Sequence, residues 1–192
     1  MSVQTNAQRS AKTISAIMQA ALRLVRKMGW EKTSVKGICE EANVSVGAFY
    51  HHFSSKNELM SRSFLLFDDS MSEFLPARTG SPLQNVRAVL MVQTEFVARE
   101  AGPLSAEYYR TILTDSEHLA ASPDRAYYRA VLWSVHEAKA HLKEGFTPEY
   151  AADFLIKFVR GCLFDWCLRN FSYDVVERTG KDLDVLMGAL FH

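Results

Sequence analysis

Apolar residues recur at helical spacing along most of the chain, and no stretch alternates as a half-buried strand would. From about residue 10 to 28, Ile14, Ile17, Met18, Ala21, Leu22, Val25 and Met28 form one stripe, and Gly29 is placed to end that helix. A longer helix is predicted from Ser55 to about residue 75, stopped with the help of Pro76, and residues 77–82 read as a loop. Further helices are predicted at about 82–101, 103–115, 123–143, 147–171 and 174–190, the last with an interruption near Gly180. Pro103, Pro123 and Pro148 fall where the first turn of a helix accepts proline. The pattern predicts an all-α protein.

The stretch from Thr33 to Lys56 predicts two short helices joined by a tight turn. Ser34 can cap the first, whose apolar face carries Val35, Ile38 and Cys39. Asn43 follows where a left-handed residue would end a helix. Ser45 can cap a second helix bearing Val46, Ala48 and Phe49, and Ser55 with Glu58 forms a capping box for the next. Helix, short turn, helix is the layout of a DNA-reading unit that lays its second helix in the major groove. Its residue types agree. No acidic residue occurs from Val46 to Phe53, while Tyr50, His51, His52 and Lys56 offer hydroxyl, imidazole and ammonium donors.

With Ile17-Met18-Gln19-Ala20-Ala21-Leu22-Arg23-Leu24, Gly29-Trp30, Thr33-Ser34-Val35, Ile38, Ala42-Asn43-Val44-Ser45, Gly47, Phe49-Tyr50, His52-Phe53 and Lys56, the chain resembles the TetR family of bacterial one-component transcriptional regulators. Departures are small: Cys39 stands where alanine is usual, Asn43 where glycine is frequent, and Gly37 where an acidic residue is common. The resemblance implies an N-terminal three-helix helix-turn-helix DNA-binding domain at residues 1–54. It also implies a C-terminal helical ligand-binding and dimerisation domain at residues 55–192.

The same match implies phosphate contacts from Thr33, Ser34, Tyr50, His52 and Lys56. Ser45, Val46, Ala48 and His51, at the outer start of the second helix, are the candidates for base edges; only Ser45 and His51 could hydrogen-bond a base. On the helices that enclose a ligand pocket in this family lie Phe67, Phe74, Phe96, Tyr108, Tyr109, Tyr127, Tyr128, Trp133, His136, Phe158 and Trp166. They suggest a largely apolar or aromatic effector. Residues 150–171 are apolar nearly all round, and the last helix repeats an apolar face. TetR-type regulators dimerise through such a pair, which makes Phe154, Phe158, Gly161, Cys162, Leu183, Leu186, Met187 and Leu190 the expected homodimer interface.

Composition adds less. The net charge is zero, but residues 1–60 hold eight Lys and Arg against four Asp and Glu, while the remainder holds fourteen against eighteen. A basic head on an acidic body suits a polyanionic partner. No apolar run approaches the roughly 20 residues of a membrane span, and the N-terminus lacks a signal peptide pattern, so the chain reads as cytoplasmic. Cys39, Cys162 and Cys167 have no metal-ligand spacing, and no catalytic motif is present, so neither metal, cofactor nor enzymatic activity is expected. The expected function is a repressor released from a pseudo-palindromic operator by a small-molecule effector, and the expected partners are that operator DNA, the effector and a second subunit. A redox- or metal-responsive regulator on the same scaffold is the alternative.

Overall fold

The first helix, α1 (Asn6–Met28), begins four residues ahead of its predicted start and buries Ile17, Met18, Ala20, Ala21 and Val25 on one side. Gly29 ends it at φ 84°, a left-handed angle that side chains resist, with its N–H returning to Val25 O at 2.8 Å. The computed structural model describes residues 6–63, 67, 68, 71, 80–102, 104–113 and 121–192. Next come α2 (Val35–Ala42), α3 (Val46–His52) and α4 (Lys56–Ser61). Their shared core is Ile38, Cys39, Phe49, Phe53 and Leu59 with the buried face of α1.

The predicted helix from Ser55 to residue 75 does not run on without a break. It stops at Ser61, where Arg62 (φ −91°, ψ 4°) and Ser63 turn back on Glu58 O and Met60 O. The capping box is also altered. Ser55 Oγ accepts from Glu58 N at 3.0 Å, but the Glu58 carboxylate reaches Ser54, taking its N–H and its hydroxyl, each at 2.7 Å.

The remaining described helices are α5 (Pro82–Phe96), α6 (Leu104–Ile112), α7 (Ala126–Glu137), α8 (Pro148–Leu168) and α9 (Val175–Leu190). Ser81 and Gln84 close a reciprocal capping box around Pro82, Thr147 caps α8 ahead of Pro148, and Asp174 caps α9 through two N–H groups. Pro123 lies in a turn three residues before α7 and not in its first turn; Pro103 lies outside the described residues. The predicted 82–101 helix changes character at Val97, where five residues take π-helical bonding before Gly102. Gly180 does not interrupt α9. It lies buried where Arg87 of α5 crosses it, and a Cβ there would stand 3.0 Å from the guanidinium, which bonds to Gly180 O and Asp184.

The chain divides into two compact units: residues 1–66 with 107–117, and residues 67–106 with 118–192. In the second, α5 packs on α7, α8 and α9 around Val86, Leu90, Val131, Leu155, Ile156, Val159 and Leu183. Arg125 and Asp68 form a buried two-pronged ion pair at 2.9 and 3.0 Å. A single bridge, Leu142 to Phe191, ties the chain end back, and the described residues contain no strand.

In the first unit Lys56 acts as a pin. Its ammonium donates to Trp30 O at 2.8 Å and Thr33 O at 3.0 Å and lies 4.2 Å from the Trp30 ring centre. Lys56→Met keeps the stem against the ring but removes two charge-assisted hydrogen bonds, so urea unfolding should show a loss of about 1–3 kcal/mol. Unchanged stability would mean that the pin contributes nothing to the fold.

Candidate nucleic-acid interface

The corner between α2 and α3 is held by three local devices. Ser34 Oγ accepts from Gly37 N, and Ser45 Oγ from Ala48 N, each at 3.0 Å. Between them Asn43 adopts φ 54°, ψ 46°, and its N–H satisfies the carbonyl end of α2. Each cap uses the serine oxygen as an acceptor and leaves the O–H of Ser34 and Ser45 to donate outward. Gly37 sits against the first cap, where an added Cβ would be 3.3 Å from Ser34 Oγ.

Of the seven residues of α3, only Phe49 is buried, at 0 % exposure, with its ring 5.6 Å from Phe53. The opposite side presents Val46, Gly47, Tyr50 and His51 to solvent, with Tyr50 55 % exposed; Ala48 and His52 are half-buried at the edges. The two histidine rings meet edge-on at 4.8 Å. Burial, then the neighbouring His51 and Arg62, holds the His52 pKa below its ordinary 6.5. Arg23 of α1 pairs with Glu41 of α2 at 2.8 Å, fastening the supporting helices where both groups remain partly solvated.

The structure brings Ser34, Ser45, Val46, Ala48, Tyr50, His51 and His52 onto one corner. Two of the expected phosphate ligands are placed differently. Thr33 is 2 % exposed, its hydroxyl donates to Gly29 O at 2.9 Å and its N–H to Trp30 O, so it has no donor left to face a phosphate. Lys56 is half-buried and spends two of its three ammonium donors inward, as described above. Sequence reasoning overlooked Arg62, which lies 5.7 Å from the Phe53 ring centre and bonds to Glu58 at 3.2 Å. The four-residue spacing of Glu58 and Arg62 was the available signal, masked by reading Glu58 as a capping residue.

In the second unit, Phe67, Phe96 and Tyr127 come together, with ring centres 5.2 and 5.3 Å apart through Phe67. The other expected pocket residues are dispersed. Tyr108 and Tyr109 touch edge-on in the 107–117 segment, which groups with the first unit. Tyr128 is half-buried and Trp133 exposed; His136 bonds to Glu149 at 3.0 Å, and Trp166 donates to Tyr173 O. Phe74 lies outside the described residues.

The expected interface residues divide by face. Leu183, Met187 and Leu190 point into the protein's own core, at 0, 8 and 2 % exposure. Phe154 and Gly161 are exposed, while Phe158, Cys162 and Leu186 are half-buried. Phe146, Tyr150 and Phe154 stack in succession at 5.9 and 6.0 Å, and Phe164, Leu168 and Val185 add further exposed apolar surface. Phe158, Gly161 and Cys162 floor a groove of about 720 Å³ between α8 and α9, rimmed by paired charges such as Asp165 with Arg169. The three cysteines are free thiols, and the described residues contain no cluster able to hold a metal. No helix among them is long and apolar enough to cross a membrane.

Residues 17–62 match the profile described as "Bacterial regulatory proteins, tetR family". The HTH-type transcriptional repressor KstR2 of Mycobacterium tuberculosis is 25 % identical over 154 residues, covering 75 % of this chain and 74 % of that protein. The probable acrEF/envCD operon repressor of Escherichia coli is 26 % identical over 195 residues, covering 97 % and 74 %. The structure of the TetR-family repressor FadR from Thermus thermophilus, solved with lauroyl-CoA, superposes with a TM-score of 0.66 at 21 % identity over 91 % of this chain and 93 % of that one. The matched residues span the corner that exposes Tyr50 and His51, so this segment is similar to the helix-turn-helix segment of TetR-family bacterial regulatory proteins, and the whole chain shares the fold of the FadR structure.

Proposed function

We propose that the chain is a homodimeric repressor released from a pseudo-palindromic operator by a small, largely apolar or aromatic effector. The observation that carries the DNA half of this reading is the solvent-facing side of α3, which has donors, no acidic group and one buried anchor, Phe49. Ser34, Tyr50 and His52 bind phosphates, with the remaining ammonium donor of Lys56 as a fourth contact. Ser45 and His51 meet base edges, and Val46 and Ala48 meet thymine methyls. Direct readout by so few groups leaves a share of the specificity to DNA shape. DNA reading falls to the first compact unit, residues 1–66 with 107–117, and effector binding and dimerisation to the second, residues 67–106 with 118–192.

The relatives support repression and effector release. KstR2 and the acrEF/envCD regulator are described as repressors, and the FadR structure contains an acyl-CoA. The aromatic trio of Phe67, Phe96 and Tyr127 favours an apolar or aromatic ligand in this chain. A ligand that binds one spacing of the two heads better than another lowers DNA affinity through that difference alone. The outward stripe of α8, from Tyr150 through Phe154 to Leu168, with Val185 and Leu186 of α9, is the surface that meets the second subunit.

Three results follow. Phe154→Glu places a charge in the subunit contact, so sedimentation should report monomers and operator binding should fall at least about tenfold, whereas an intact dimer would place the interface elsewhere. His51→Ala should change sequence preference more than affinity for random DNA; an equal loss on both would remove it from base readout. For His52, the free protein disfavours the imidazolium and a phosphate favours it, so DNA binding takes up a proton. Affinity should therefore rise as pH falls through the pKa of the complex and level off below that of the free protein, which lies under 6.5. His52→Gln should abolish that slope in fluorescence anisotropy, and a slope that survived would assign the proton to another group.

A further inference from the structure

Two polar atoms of α5 are sealed inside the second unit with no hydrogen-bond partner among the described residues: Gln93 Oε1 and Thr94 Oγ1. Thr94 is fully buried, and an unspent hydroxyl in a protein interior lowers stability. A helical threonine commonly bonds to the carbonyl four residues back, here Leu90 O. That carbonyl already accepts the Tyr127 hydroxyl at 3.3 Å. Burial pushes the Tyr127 phenol well above its ordinary pKa, so it keeps its proton and remains the donor.

The surroundings are aromatic. Tyr127 lies against the Phe67 ring, which also meets Phe96, and Phe96 is three residues beyond Gln93 and so on the same face of the helix. Immediately past Phe96 the bonding widens to the π-helical turn of Val97–Ala101, a feature that recurs at functional sites. Packing does not explain the hydroxyl, because valine has the shape of threonine without a polar atom to satisfy.

We infer that Gln93 and Thr94 are the hydrogen-bonding contacts for the effector, and that the effector is a small aromatic molecule carrying a hydroxyl or N–H group. This rests on the effector-released reading given above. Gln93 Oε1 accepts from that group, and Thr94 Oγ1 donates to it or accepts from it.

The test uses the full chain and three matched probe pairs: phenol with toluene, 2-naphthol with naphthalene, and 4-phenylphenol with biphenyl. Thermal shift reads binding, and anisotropy of a DNA duplex reads release. In at least one pair the hydroxylated member should bind the wild type roughly three- to tenfold more tightly, the range expected for one hydrogen bond. Thr94→Val should raise the melting temperature of the unliganded protein and erase that preference, Thr94→Ser should retain it, and Gln93→Leu should weaken it. A lower melting temperature for Thr94→Val would show that the hydroxyl is already spent in the fold and would overturn the inference. So would equal binding within every pair, or a preference that both Thr94→Val and Gln93→Leu leave intact. Probe preference without any DNA binding by the wild type would leave the contact standing and remove the regulatory reading, so the two failures are distinguishable.

Discussion

A seven-residue helix does not persist in water by itself; isolated helices need about 12–15 residues before propagation outweighs nucleation. Helix α3 therefore depends on one side chain, Phe49, which is fully enclosed with Phe53 while Val46, Gly47, Tyr50 and His51 remain in solvent. Full burial of a phenylalanine contributes about 1.5–3 kcal/mol, comparable to the entropy cost of ordering one or two residues. The rest comes from geometry set in advance. Asn43 turns the chain through a left-handed residue, and Ser45 satisfies an otherwise orphaned N–H, so the helix starts at a fixed angle.

Structural duties and contact duties are divided among the polar residues of this corner. Thr33 and Lys56 turn inward onto Gly29 O, Trp30 O and Thr33 O, locking the turn between α1 and α2. Ser34 and Ser45 cap their helices by accepting from the backbone, and a hydroxyl in that role can still donate outward, as the proposed DNA contacts require. In the proposed complex the basic charge of the first sixty residues would add attraction to DNA without every cation being a contact.

The parts of this arrangement set by near neighbours were legible in the sequence. The caps at Ser34, Ser45 and Ser55, the left-handed Asn43 and the stop at Gly29 each involve residues within four positions, where side-chain chemistry alone decides the outcome. Lys56 reaching carbonyls 23 and 26 residues earlier depends on how α4 packs, which no local pattern encodes. The break after Ser61 was hidden for a different reason: apolar periodicity continues through Phe64 and Phe67 and hid the local turn of Arg62 onto Glu58. In α8 and α9, apolar residues on several faces could not reveal which stripe the protein keeps for itself. Leu183, Met187 and Leu190 turned out to be its own core, and Phe154 and Gly161 lie outside. Aromatic content likewise could not reveal partners such as Tyr173 O for Trp166 and the Glu149 carboxylate for His136.

The central claim is that paired copies of the exposed face of α3 read one duplex. Repeated selection of bound duplexes from a randomised double-stranded pool tests it most directly, with the purified full chain and sequencing of what is retained. The account predicts an enriched inverted repeat whose half-sites are centred one helical turn apart, about 34–36 Å, and which the chain binds far more tightly than random duplex. A pool that stays random, or an enriched site with no twofold symmetry, would contradict it.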